Sequence, residues 1–198
     1  GIYYISPQSN YIKWYYEKHK QNSLSGNAVS QFCEDPGGNL WIATENGGLN
    51  YFNPRTEEFT RYMANGSSTN ISYNNIHALL LDDHRLWIGT FSQGIDVMDL
   101  KTRSIVRNYQ YNMNDSNSIP HNYVYSLYKN RYGEIFVGTM RGLCQFLPEI
   151  NKFHRFEELR DVFVYDMLED SAGTLWIATK EGGIWRYDRK TGKFRNYK

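Results

Sequence analysis

The sequence predicts an all-β fold assembled from four-stranded antiparallel units, and three observations predict it. A short apolar segment ending in threonine occurs four times, as Asn39-Leu-Trp-Ile-Ala-Thr44, Arg85-Leu-Trp-Ile-Gly-Thr90, Glu134-Ile-Phe-Val-Gly-Thr139 and Thr174-Leu-Trp-Ile-Ala-Thr179. Its aromatic anchors Trp41, Trp87, Phe136 and Trp176 are spaced by 46, 49 and 40 residues. A glycine follows each copy and opens the next apolar segment, at Gly48, Gly94, Gly142 and Gly183. Composition agrees: the 198 residues include 17 Tyr, 10 Phe and 5 Trp, side chains that favour strands.

The elements follow in chain order. Segment A runs from Val29 to Glu34 and is opened in the later copies by Ile76, Val124 and Val164. It closes on Asp35, Asp82, Asn130 and Asp170, acidic or amide residues that form turns with their own backbone. Segment B is Leu40 to Thr44, segment C is Gly48 to Asn53, and segment D is Phe59 to Tyr62. Several of these alternate apolar and polar residues with period two, and none sustains a helical period. Asp35-Pro-Gly-Gly38, Asn53-Pro-Arg-Thr56 and Thr191-Gly192 are turn chemistry. The glycines are expected to take positive φ or to permit close backbone approach, and the threonine hydroxyls to satisfy the B–C turn. The long D–A joints end on Asn27, Asn74 and Asn122, which are expected to cap a turn; the fourth joint, Glu157-Glu-Leu-Arg-Asp161, is short. Four strands every 40 to 50 residues is the spacing of β-propeller blades, in which stacked sheets cover each other's faces.

The predicted organisation is one propeller segment: the second half of a blade at 1–16, opened by Gly1, then blades at 27–63, 74–110, 121–157 and 161–198. About four and a half blades make an open arc, expected to be cut from a larger propeller. Its uncovered faces and strand edges are expected to drive self-association.

Composition also excludes functions. With 22 Lys+Arg against 21 Asp+Glu the net charge is +1, too balanced for a nucleic-acid protein held by phosphate contacts. No apolar run has the length of a membrane helix. The five His are scattered, Asp82-Asp83-His84 reads as a turn, and no metal or cofactor site is expected. Cys33 and Cys144, 111 residues apart, leave open one disulfide or two buried thiols, with buried thiols the favoured reading. No GxSxG, HExxH or phosphate loop is present, and no catalytic residue is assigned.

These residues resemble the two-component regulator propeller repeat. The likeness is carried by Leu24-Ser-Gly-Asn-Ala-Val29, Glu34-Asp-Pro-Gly-Gly-Asn-Leu-Trp-Ile-Ala-Thr44, Gly47-Gly-Leu-Asn-Tyr-Phe-Asn53 and Thr191-Gly-Lys-Phe-Arg-Asn-Tyr197. Phe136 in place of Trp and Asn130 in place of Asp depart from the pattern. Asp188-Arg-Lys-Thr-Gly-Lys193 also matches a quinoprotein-type turn, without the Trp expected after it. The resemblance implies the periplasmic sensor region of a bacterial hybrid two-component histidine kinase. There further blades and downstream domains complete the protein, and the signal is an oligosaccharide from polysaccharide breakdown. Two alternatives stand beside it: a scaffold for protein interaction and dimerisation only, or a propeller carbohydrate-active or quinoprotein-type enzyme.

In a four-stranded blade the B–C and D–A joints emerge together at the channel entrance. That rim is expected to hold ligand through Phe91, Gln93, Arg141, Lys180, Glu181, Asn75 and His121, since aromatic faces stack on sugar rings while amides and charges bond hydroxyls. Trp41, Trp87, Phe136 and Trp176, with Gly48, Gly94, Gly142 and Gly183, are expected to be structural.

Overall fold

A computed structural model describes residues 2–5, 12–18, 20 and 22–198. It contains four sheets of four antiparallel strands and one two-stranded sheet. The short sheet pairs β1 (Ile2–Ile5) with β2 (Ile12–Tyr15). The four blades are β3 (Val29–Glu34) to β6 (Glu58–Tyr62), with β4 (Leu40–Thr44) and β5 (Gly48–Asn53) between; β7 (Ile76–Asp82), β8 (Arg85–Thr90), β9 (Ile95–Asp99) and β10 (Ser104–Tyr109); β11 (Val124–Lys129), β12 (Ile135–Thr139), β13 (Gly142–Leu147) and β14 (Lys152–Arg155); and β15 (Val164–Glu169), β16 (Leu175–Thr179), β17 (Ile184–Asp188) and β18 (Lys193–Tyr197). Each is a meander in which neighbours in sequence are neighbours in the sheet. Segments A to D are thus strands, segment D beginning one residue earlier than the repeat suggested. Gly1 and residues 6–11 of the expected half-blade lie outside the described residues.

The first strand of each blade contacts the first strand of the next, β3 with β7, β7 with β11 and β11 with β15. These strands therefore lie innermost. The hydrophobic clusters sit between blades rather than within them. Trp41, Leu49 and Ala43 pack with Ile76, Leu86 and Met98 of the second blade. Trp87 and Val97 pack with Val124, Val137 and Phe153 of the third, and Phe136 and Leu143 with Val164, Leu175 and Ile177 of the fourth. Both cysteines are free: Cys144 is buried in the second of these layers and Cys33 half-buried against the first.

The turn chemistry repeats atom for atom. Thr44, Thr90, Thr139 and Thr179 each donate Oγ1–H to the carbonyl of the glycine opening the next strand, at 2.9, 2.9, 2.9 and 2.6 Å. Gly94 has φ 74°, and a Cβ there would lie 2.0 Å from the Tyr109 carbonyl oxygen, so only glycine fits. Asp35 and Asp170 accept from the backbone of their own A–B turns. Asp82 differs: its turn is shorter, and it ion-pairs with Lys129 on the next inner strand. The loop asparagines do more than cap a turn. Asn74 Oδ1 accepts from Ala64 N at 2.7 Å and Asn122 Oδ1 from Tyr111 N at 2.7 Å, each closing the whole D–A loop on itself.

Those loops are then docked onto the blade that follows. Arg61 donates to the Ser23 and Leu24 carbonyls and to Ser23 Oγ, and Arg155 does the same to Ser118 and Ile119. In the second blade the equivalent anchor is Asp96, fully buried, which accepts from Ser72 N, Ser72 Oγ and Asn108 Nδ2 at 2.7, 2.8 and 2.7 Å. The loop ends, and the side chains they carry, are held at fixed places beside the inner strands.

Candidate site at the channel mouth

Every inner strand breaks its register at its second residue. The pairing shifts between Val29 and Gln31, Ile76 and Ala78, Val124 and Ser126, and Val164 and Asp166. Ser30, His77, Tyr125 and Tyr165 are the extra residues of four equivalent β-bulges, a device that re-aims a side chain out of the regular alternation. They form a row across the blades. Ser30 Oγ donates to the Ile76 carbonyl at 2.5 Å, the His77 and Tyr125 rings are 4.8 Å apart, and Tyr125 and Tyr165 are 5.9 Å apart.

All four bulge residues line one cavity of about 330 Å³, together with Gln31, Glu45, Ser126 and Asp166. The joints join the same place. Glu45, Phe91, Met140 and Lys180, which start the B–C joints, donate their backbone N–H to the carbonyls of Ala28, Asn75, Tyr123 and Phe163, the residues just before each inner strand. The B–C and D–A joints are therefore locked side by side in every blade. Aromatic rings of the second, third and fourth blades form one connected row at this mouth. Phe91 stacks on Tyr123 at 4.6 Å and lies 5.5 Å from His77, and Phe163 lies 4.4 Å from Tyr125.

Burial lowers the His77 pKa, against the opposing pull of Glu45, so the imidazole is neutral at neutral pH and both donates and accepts. Burial also raises the Tyr125 hydroxyl, helped by Tyr165, Tyr123 and Glu45. Two polar atoms here are buried with no hydrogen-bond partner, Ser126 Oγ and Asn75 Oδ1.

Of the residues expected at the rim, the structure gathers Phe91, His121 and Lys180 into the aromatic row. His121 Nδ1 accepts from Tyr123 N at 3.0 Å and its ring meets Tyr123 edge-on, while the Lys180 ammonium lies 5.9 Å from the Phe163 centroid. Asn75 adjoins them through its bond from Phe91. Gln93 faces the outer strand, accepting from Asn108 and Gln110. Arg141 ion-pairs with Asp161 at 3.1 Å and lines a neighbouring cleft, close enough to His121 that its charge adds to burial in lowering the imidazole pKa. Glu181 is exposed in the joint with φ 63°. Sequence reasoning missed His77, Tyr125, Tyr165, Tyr123 and Phe163. The available signal was position: each is the residue just before or just after the apolar opener of segment A.

Four likenesses to known proteins bear on the site. The two component regulator propeller family model matches residues 23–46, 118–141 and 158–185, the loop end and first two strands of three blades. Histidine kinase P4 of Formosa agariphila is 31% identical over 87 residues, 39% of this chain and 6% of that protein. The extracellular domain of a hybrid two-component system from B. thetaiotaomicron superposes with a TM-score of 0.78 at 23% identity, over 94% of this chain and 26% of that one. Virginiamycin B lyase from Staphylococcus aureus superposes with a TM-score of 0.65 at 16% identity, over 86% of this chain and 55% of that one. These superpositions establish a shared fold, found in the extracellular domain of a two-component system in one case and in a lyase in the other. The chain spans about a quarter of the length of that extracellular domain.

Proposed function

We propose that this chain, which carries two-component regulator propeller repeats, is a segment of the extracytoplasmic sensor of a hybrid two-component system and binds an oligosaccharide at its channel mouth. The repeat and the histidine kinase relative support the signalling context. The periplasm follows from that context. The observation that carries the ligand class is the row of four bulges, which brings a hydroxyl, an imidazole and two phenols into one cavity framed by aromatic faces. Aromatic faces cover the apolar faces of sugar rings, and the surrounding amide, hydroxyl and carboxylate groups accept and donate to sugar hydroxyls. The segment itself acts by binding rather than by catalysis. Its repeated acidic residues Asp35 and Asp170 are committed to turns.

One observation favours a second reading, a carbohydrate-active enzyme: the carboxylates of Glu45 and Asp166 share the cavity, as a hydrolase pair would. An array of plant and microbial oligosaccharides probed with the purified chain separates the readings. The sensor reading expects binding without turnover, abolished by Tyr125→Ala and Phe91→Ala while the circular dichroism spectrum is unchanged. Shortened products detected by mass spectrometry, and lost in Glu45→Gln, would establish the enzyme instead. Binding that survives both aromatic variants would remove the mouth as the site.

A further inference from the structure

The lining of the mouth cavity is acidic, with one cation, Lys180, at its lip. Its lining holds two carboxylates, Glu45 and Asp166, and neither lysine nor arginine. Neither carboxylate enters an ion pair among the described residues, and Asp166 accepts only from the adjoining Met167 N, at 2.8 Å. Arg141 pairs with Asp161, and Lys180 lies over the Phe163 ring at the lip rather than in the lining. The faces of Tyr125 and Tyr165 add the negative side of their ring quadrupoles.

We propose that the mouth selects saccharides by charge, taking uncharged or ammonium-bearing chains and rejecting uronate or sulfated ones. This rests on the saccharide reading above and narrows it. A sugar carboxylate or sulfate entering the cavity meets the like charges of Glu45 and Asp166, a repulsion that low salt leaves unscreened. A neutral sugar offers hydroxyl hydrogens, for which a carboxylate is the strongest acceptor available. An ammonium sugar gains the ion pair and the aromatic faces together.

The test titrates the purified chain with three chains of matched length: a cello-oligosaccharide, a chitosan oligosaccharide and an oligogalacturonate. Oligogalacturonate is expected to bind weaker than the cello-oligosaccharide by on the order of tenfold at low salt, the gap shrinking as salt screens it. In the Glu45→Gln, Asp166→Asn double variant the ratio of the two affinities should move toward one, oligogalacturonate gaining relative to the cello-oligosaccharide, whose own binding weakens as its carboxylate acceptors are lost. Both side chains are exposed, so the fold tolerates the change. Oligogalacturonate binding as tightly as the neutral chain, or a gap unaltered in the double variant, overturns charge selection and leaves the saccharide site standing. Failure of all three to bind overturns the saccharide reading and this proposal with it.

Discussion

At the scale of single residues, equivalent positions in different blades do one job with different chemistry. Asn50 in the first blade and Asp96 in the second both receive the incoming loop, from Ser25 and Ser72. Asn50 is neutral, whereas Asp96 is a fully buried carboxyl with no cation beside it. Burial raises its pKa, and the bonds from Ser72 and Asn108 offset this only in part. The folded protein therefore holds this proton more tightly than the unfolded chain. The stability it contributes is complete below the ordinary aspartate range near about 4 and is lost as pH rises through the raised value. Unfolding free energy measured by denaturant from about pH 4 to pH 8 should fall with rising pH through this component, and the component should vanish in Asp96→Asn. Equal pH slopes for the two proteins would show that Asp96 titrates as it does unfolded.

At the scale of the element, the strand is defined less by its own propensity than by what covers it. Trp41, Trp87 and Trp176 occupy one repeat position, and the first two are 2% exposed between blades. Trp176 is only half-buried, and its Nε1 donates to Asp170 Oδ2 at 2.8 Å instead. Leu49 is fully buried where its counterpart Ile184 is 51% exposed. Trp87→Ala should thus cost about 3–5 kcal/mol through the cavity left in the second layer, and Trp176→Ala clearly less. Equal losses in thermal or denaturant unfolding would refute packing between blades as the source of stability. The strands themselves were legible because turn and core positions repeat: glycine, threonine and tryptophan each meet the same steric or hydrogen-bonding demand in every blade. The bulges were not legible. Ser30, His77, Tyr125 and Tyr165 are three residue types at one repeat position, and period-two reasoning assigns such residues to a face of a regular strand. Only the pairing register shows that each is the inserted residue. The same holds for the arginine anchors Arg61 and Arg155, whose loops approach only in three dimensions.

At the scale of the whole molecule, the inner strands carry both structural and site demands: Ile76, Val124 and Val164 pack one blade on the next, while the bulge residues that follow them, His77, Tyr125 and Tyr165, line the mouth cavity. Variation at the bulge positions can change the lining without changing the packed neighbours. Four of the seven expected rim residues belong to this mouth, and Gln93 is turned away by a side-chain direction that spacing alone does not encode. The account turns on a saccharide seated across the bulge row. Its most direct test is an NMR titration of the chain with the strongest neutral oligosaccharide found on the array, following the ring signals of His77, Tyr125 and Tyr165. Saturable shifts concentrated on those rings and on Phe91 are expected. Shifts confined to the outer cleft beside Arg141 and Asp161, with the bulge residues unmoved, would contradict it.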